Sequence, residues 1–187
     1  CRPERTRAYH SGQLTENAVI TKQHLIDSCL WEIRIIKHLA GKIPPGGMRY
    51  RPSDHQRSML DLMQYLTTCA IVPGMAAVNG NWDHAEEMEK ASAQVNQQNF
   101  DRAMNEQARQ LKELIGGISS EDFAHKNAAM PWGTPCKLGQ GLMDMCLKTL
   151  VAYRMQFFLY VKAAGRKDIG PAQCWAGFDP QPRPAEA

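Results

Sequence analysis

The chain has 187 residues, with 22 Lys and Arg against 19 Asp and Glu, a formal charge of +3 and 43% hydrophobic residues. A chain of that length can bury roughly 70% of its unfolded surface as a single domain over residues 1–187, without a metal or disulfide staple. Disorder requires fewer apolar residues and a larger net charge, and a membrane span requires an apolar run of roughly 18 residues that no segment approaches, so both are excluded.

The opening residues, Cys1-Arg2-Pro3-Glu4-Arg5, contain neither the apolar stretch of a signal peptide nor an initiator Met, so the natural N-terminus is expected to lie upstream. Residues 1–12 and 180–187 are expected to be poorly ordered. The first helix is predicted from about Thr15 to Ala40, where Val19, Ile26, Ile33 and Ala40 recur every seven residues, joined by Cys29 and Ile36. Lys22, Gln23, Arg34 and Lys37 remain for water, and Gly41 with Pro44-Pro45-Gly46-Gly47 ends the helix.

A second helix is predicted from Ser53, with Ser53 and Gln56 as a capping box, Met59, Leu62, Met63, Leu66 and Cys69 inward, and a break near Pro73-Gly74. Asn79-Gly80-Asn81 is a turn signal, and a short polar helix from Asp83 to Gln94 follows it. The third long helix spans Asn99 to Ile115, with Phe100, Met104, Leu111 and Leu114/Ile115 inward, and Ser119 to Asp122 caps a further short turn. Met130-Pro131-Trp132-Gly133-Thr134-Pro135 reads as a loop. The fourth helix, about Leu138 to Ala164, is apolar on most sides, which places it at the centre of a bundle or against a second chain. The tail from Ile169 is proline-rich and is expected to form an extended strap. No stretch alternates apolar and polar long enough for a sheet. The expected fold is therefore all-α, a four-helix bundle with long connections and an extended C-terminal strap.

Six cysteines are scattered without CxxC spacing, and Cys29, Cys69 and Cys146 fall among apolar residues at helical spacing, which implies a reducing compartment, the cytoplasm. Cys136, just ahead of a helix and beside Lys137, is a candidate reactive thiol, although an ordinary half-exposed cysteine is the plainer reading. The six histidines form no HxxxH or HExxH pattern. His84 and Glu87 are spaced to face one ion, but Glu86 and Glu89 beside them make a solvated acidic face the plainer reading. No nucleophile elbow, phosphate-binding glycine loop or recognition helix is present, so nucleic acid is excluded as a partner.

The informative segment is Ala152-Tyr153-Arg154-Met155-Gln156-Phe157-Phe158-Leu159-Tyr160. Tyr153, Gln156 and Tyr160 share one face of a helix, Thr149 extends it one turn back, and Tyr65 of helix two is a plausible partner across an antiparallel bundle. Hydrogen-bonding groups on a buried stripe need partners. They form either a satisfied network that sets helix register or the floor of a small pocket.

The last-helix run Leu147 to Gln156 resembles the DinB/YfiT-like superfamily of four-helix bundles. So, in matching order from about Met48 to Asp179, do Arg51-Pro52-Ser53, Gln56 to Leu62, Asn81-Trp82, Pro131-Trp132-Gly133 and Trp175-Ala176-Gly177. The resemblance implies a bundle that often holds a divalent metal such as zinc or nickel on three histidines. One lies late in helix two, and two lie on helix four before an Arg-Gly-Gln. Here those positions carry Tyr65, Thr149 and Tyr153, followed by Arg154-Met155-Gln156. Neutral hydroxyls are poor ligands for such ions. The expectation is a stress-associated, cytoplasmic homodimer with no metal cofactor and a small-molecule pocket between helices two and four. One alternative is a metal-dependent hydrolase or thiol transferase using His55, His84 or Glu87, and another is a structural dimerisation module.

Overall fold

The computed structural model describes residues 20–181. The expected start of helix one at Thr15, Val19 in its stripe, and the expectations for residues 1–12 and 182–187 lie outside that range. The first helix, α1, runs Lys22–Ala40 behind the N-cap Thr21, whose hydroxyl accepts from the His24 backbone N–H while His24 Nδ1 accepts from that of Thr21. Its inner stripe is Leu25, Ile26, Cys29, Ile33, Ile36 and Leu39. Each large side chain of this kind withdrawn from water stabilises the fold by about 1.5–3 kcal/mol, so one charge at Ile36 would break the packing of α1 on its neighbours.

Helix two differs from its expectation at both ends. Ser53 and Gln56 close only an isolated turn, and α2, Met59–Leu66, is capped instead by Ser58 and Asp61. The Asp61 backbone N–H donates to Ser58 Oγ at 3.1 Å, and the Ser58 N–H donates to the Asp61 carboxylate at 3.0 Å. Two candidate boxes lie five residues apart, and only the second brings Met59, Leu62, Met63 and Leu66 into the core.

The break falls at Thr67–Ala70, ahead of the expected Pro73-Gly74, and α3, Ile71–Asn79, runs straight through both residues. Pro73 sits at the third position of α3, where a missing N–H leaves no helical bond unmade, and its ring excludes a regular helix through Cys69 four residues earlier. Gly80 in the left-handed region (φ 75°) ends α3.

The polar helix α4 spans Ala85–Ser92, and α5, Phe100–Gly116, presents Phe100, Met104, Gln107, Leu111 and Ile115 inward. After α6, Ser120–His125, the residues around the expected loop form a hairpin, β1 Asn127–Ala129 and β2 Pro135–Lys137, paired antiparallel with Ala128 opposite Cys136. Strands of three residues are too short to show a period of two. The turn between them uses Gly133 at φ 87°.

The fourth long helix is continuous but not regular. It opens as α7, Leu138–Leu142, widens into a π-turn over Met143–Leu147, and continues as α8, Lys148–Ala163. Leu142, Cys146, Leu150, Phe157 and Val161 are buried within the chain itself, which accounts for its apolar circumference, and Leu159 alone among its large apolar side chains is strongly exposed. The units α1, α2–α3, α5 and α7–α8 form the bundle: α1 packs on α5 and α8, α2 on α8, and α3 on α5 and α7. No described helix is long and apolar enough to cross a membrane.

The tail is shorter on extended backbone than expected. It contains a π-turn at Ala172–Ala176 that buries Gln173 and Cys174, and Gly177 turns at φ 63° close against Ile35. Arg34 donates to Ala176 O at 2.7 Å, and Arg154, 1% exposed, donates to Cys174 O at 2.7 Å and to the Glu32 carboxylate at 2.5 Å. Arg154 thus ties α8, α1 and the tail together from inside the protein.

Candidate functional site

The interruption between α2 and α3 is where the bundle opens. In a regular helix the Ala70 N–H would donate to Leu66 O. Here the carboxamide of Gln107 from α5 stands between them: its Oε1 accepts from Ala70 N (3.1 Å) and Ile71 N (3.4 Å), and its Nε2 donates to Leu66 O (2.8 Å). A side chain inserted into the helical ladder is one of the few causes of a sharp kink. On the opposite unit, the π-turn of helix four faces the same break. Cys146 Sγ donates to Ala70 O at 3.3 Å, and a Cβ on Gly74 would lie 2.8 Å from that sulfur, so α3 approaches the π-turn as closely as only glycine permits. Single π-turns inside α-helices concentrate at functional sites.

Between the kink and the π-turn lies a cavity of about 200 Å³, whose wall includes Tyr65, Cys69, Trp82, Glu89, Met145 and Thr149. A second cavity of about 330 Å³, reaching to Lys126 and Met130 by the hairpin, shares Pro73, Trp82 and Met145 with it. The two are therefore neighbours across one wall. Trp82 stands there 45% exposed, a large indole face available from the solvent side.

The stripe predicted from sequence divides in two. Tyr65 and Thr149 line the smaller cavity, and the Tyr153 ring meets Tyr65 edge-on with centroids 4.6 Å apart. Gln156 and Tyr160 are not among the lining residues. Gln156 Nε2 donates to Tyr160 Oη at 3.2 Å, and the Tyr160 ring packs edge-on against Tyr50 at 5.6 Å, a closed pair one to two turns further along α8.

Arg57, just ahead of α2, lays its guanidinium 4.1 Å from the centre of the Tyr65 ring and 6.0 Å from that of Tyr153. Burial, then the neighbouring Tyr153 hydroxyl, holds the Tyr65 phenol well above the ordinary tyrosine range, so it stays protonated at any physiological pH. Burial likewise pushes the Cys29 and Cys69 thiols up to about 12 and holds Cys146 well above the ordinary thiol value, which removes them as nucleophiles.

Neither the alternative ligands nor the candidate thiol builds a reactive centre. His55 lies in the exposed irregular segment before α2, and Glu87 is exposed on α4. His84 precedes α4 with its Nε2 2.8 Å from Val72 O, tying the ring to α3. Among the described residues no three His, Cys, Asp or Glu side chains converge as a ligand set. Cys136 sits half-buried on β2 with its sulfur against Gly141.

The divalent metal that the resemblance implies therefore meets, at its three positions, two packed phenols and a threonine, with a fixed cation over the first. The protonated Tyr65 phenol donates no anionic oxygen, and a guanidinium within a few ångströms repels a dication. The residues present do not fit the ion.

Four helical units in this order, the second one kinked and the last followed by a packed tail, have the fold of a solved DinB-like protein. The solved structure of a DinB-like protein, YjoA from Bacillus subtilis, superposes with a TM-score of 0.57, covering 75% of this chain and 92% of that one, at 14% sequence identity. At that identity the likeness concerns the fold. No family model matches the sequence, and no curated protein matches it.

Arg57, Gln107, Trp82 and Met145 were not among the residues chosen from sequence as a site. Trp82 carried a signal, since Asn81-Trp82 is one of the pieces of the resemblance. Arg57 likewise falls within Gln56 to Leu62, another such piece, while Gln107 and Met145 are ordinary residue types at ordinary spacings that only their partners distinguish.

Proposed function

We propose that this protein is a DinB-like bundle that works without a metal and binds a small organic molecule in the cavity between α2 and the π-turn of helix four. The observation that carries the reading is Arg57 over Tyr65 and Tyr153: the positions where the resemblance implies metal ligands hold neutral hydroxyls and an intramolecular cation. Further support comes from the cavity itself, whose aromatic, thioether and hydroxyl lining suits an organic ligand better than an ion. The proposal includes no catalytic step, since burial holds the thiols nearest the cavity neutral. It places the protein in a reducing compartment, in keeping with the unpaired cysteines of the described region.

Elemental analysis of untagged protein, with thermal shifts in zinc, nickel and manganese, tests it. The expected result is less than a tenth of an equivalent of metal and no stabilisation by any of the three ions, because a ligand that binds only the native state must raise its melting temperature. Stoichiometric metal, or stabilisation by several degrees at low micromolar ion, overturns the proposal.

A further inference from the structure

The metal-free reading leaves the chemical class of the ligand open, and the charges that line the two cavities narrow it. Glu89 of α4 is the one charged side chain in the wall of the smaller cavity, and Lys126 the one in the wall of the larger. Among the described residues no cation stands within ion-pair distance of the Glu89 carboxylate; its neighbour Lys90 pairs with Glu86 instead. Arg57 lines neither cavity, and Tyr65, on which it lies, is not part of the wall that the two cavities share. The Lys126 ammonium, 3.5 Å from Val78 O, keeps the larger cavity positive. A cation entering this region is therefore directed to the smaller cavity.

A single exposed carboxylate is no site by itself, and Glu89 is set apart by the wall it belongs to. Trp82, 45% exposed, lines the same cavity, with Tyr65 and with Met145 of the π-turn. Indole attracts a cation more strongly than any other aromatic side chain, and a thioether is polarisable enough to lie against one. Thr68, also in the wall, already donates its hydroxyl proton to Tyr65 O at 3.4 Å and has none to offer an anion. A divalent metal needs several lone pairs in a fixed shell, which this wall lacks. A methylated ammonium spreads its charge over methyl groups and needs only π faces and a negative charge near by.

Resting on the metal-free reading, we infer that the smaller cavity takes a compact methylated ammonium, its charged head against Trp82 and Met145 with the Glu89 carboxylate beside it. A cavity of about 200 Å³ has room for such a head group. The site then discriminates by charge, cation over neutral body over anion.

Three probes of nearly one shape and different charge test this: choline, 3,3-dimethylbutan-1-ol and 3,3-dimethylbutanoate, titrated calorimetrically into the untagged full chain after its metal content has been measured. Choline is expected to bind about tenfold tighter than the alcohol, the margin that a partly desolvated cation–π contact and a carboxylate together supply, with the butanoate weakest. Glu89→Gln should weaken choline about threefold or more and leave the alcohol unchanged. Glu87→Gln, which removes another exposed carboxylate of α4 that does not line the smaller cavity, should leave both unchanged. Trp82→Leu, which keeps an apolar side chain and removes the π face, should weaken choline more than the alcohol. Equal affinities, a preference for the butanoate, equal losses in Glu87→Gln and Glu89→Gln, or no binding of choline overturns the inference while leaving the metal-free reading intact. Stoichiometric metal in the purified chain overturns both.

Discussion

Replacing Gln107 by methionine isolates what holds the kink of helix two open. The two side chains are close in length and volume, so the substitution leaves little cavity, and what it removes is hydrogen bonding. Three contacts disappear: Ala70 N–H and Ile71 N–H lose their acceptor, and Leu66 O loses its donor. All three groups lie in a buried stretch of backbone. A buried polar group left without a partner costs about 1–3 kcal/mol. The Ile71 contact is the longest and counts least, so the expected loss is about 3–5 kcal/mol for Gln107→Met. That is a large part of the roughly 5–15 kcal/mol that holds a domain together. In urea titrations followed by far-ultraviolet circular dichroism, with a slope of about 2 kcal/mol/M, the midpoint should fall by about 2 M. A loss below about 1 kcal/mol would mean that Ala70 and Leu66 find each other once the carboxamide is gone. The kink would then be inherent to the α2–α3 segment, and the account of α5 as its wedge would be refuted.

Other perturbations test the remaining contacts. Arg154→Met removes one partner of a buried ion pair and should cost about 3–5 kcal/mol, whereas adding Glu32→Gln should restore part of that loss; independent, additive losses in urea unfolding would show that Arg154 acts through Cys174 and not through Glu32. Gly74→Ala should destabilise by about 1–3 kcal/mol because its Cβ meets Cys146 Sγ, and the cost should largely vanish in a Cys146→Ala background; the same loss in both backgrounds would disprove the close approach. The hydrogen bonds of the Ser58 cap, side chain first and then backbone, hold the Asp61 carboxyl below its usual 3.8. Its folded pKa being depressed, the contribution is full above 3.8 and is lost as pH falls through the lower folded value. Acid titrations of Asp61→Asn should therefore show a shallower stability decline below pH 3.8 than those of the parent chain, and parallel curves would exclude the cap as the cause.

Much of the architecture follows from local patterns. The stripes of α1 and α5, the polar character of α4, and the stop at Gly80 are all set within one element, where a period of 3.6 and the backbone freedom of glycine act without reference to distant chain. That Tyr65, Thr149 and Tyr153 stand where the resemblance implies histidines is an expectation drawn from the sequence alone. Other features depend on partners far along the chain. Helix two breaks at Thr67–Ala70 where Gln107, 41 residues beyond Leu66, enters its ladder; Pro73 announces an interruption in the sequence, but neither its position nor the side chain that fills it. The choice of Ser58 over Ser53 as cap depends on which register buries Met59 and Leu62. The π-turn exists where α3 comes close enough for Cys146 to reach Ala70 O, and Arg57 becomes part of a site only because Tyr65 turns its ring toward it. Periodicity specifies which face of a helix is apolar, while the geometry of a cavity depends on how two such faces fail to close, and that is decided only when the helices pack.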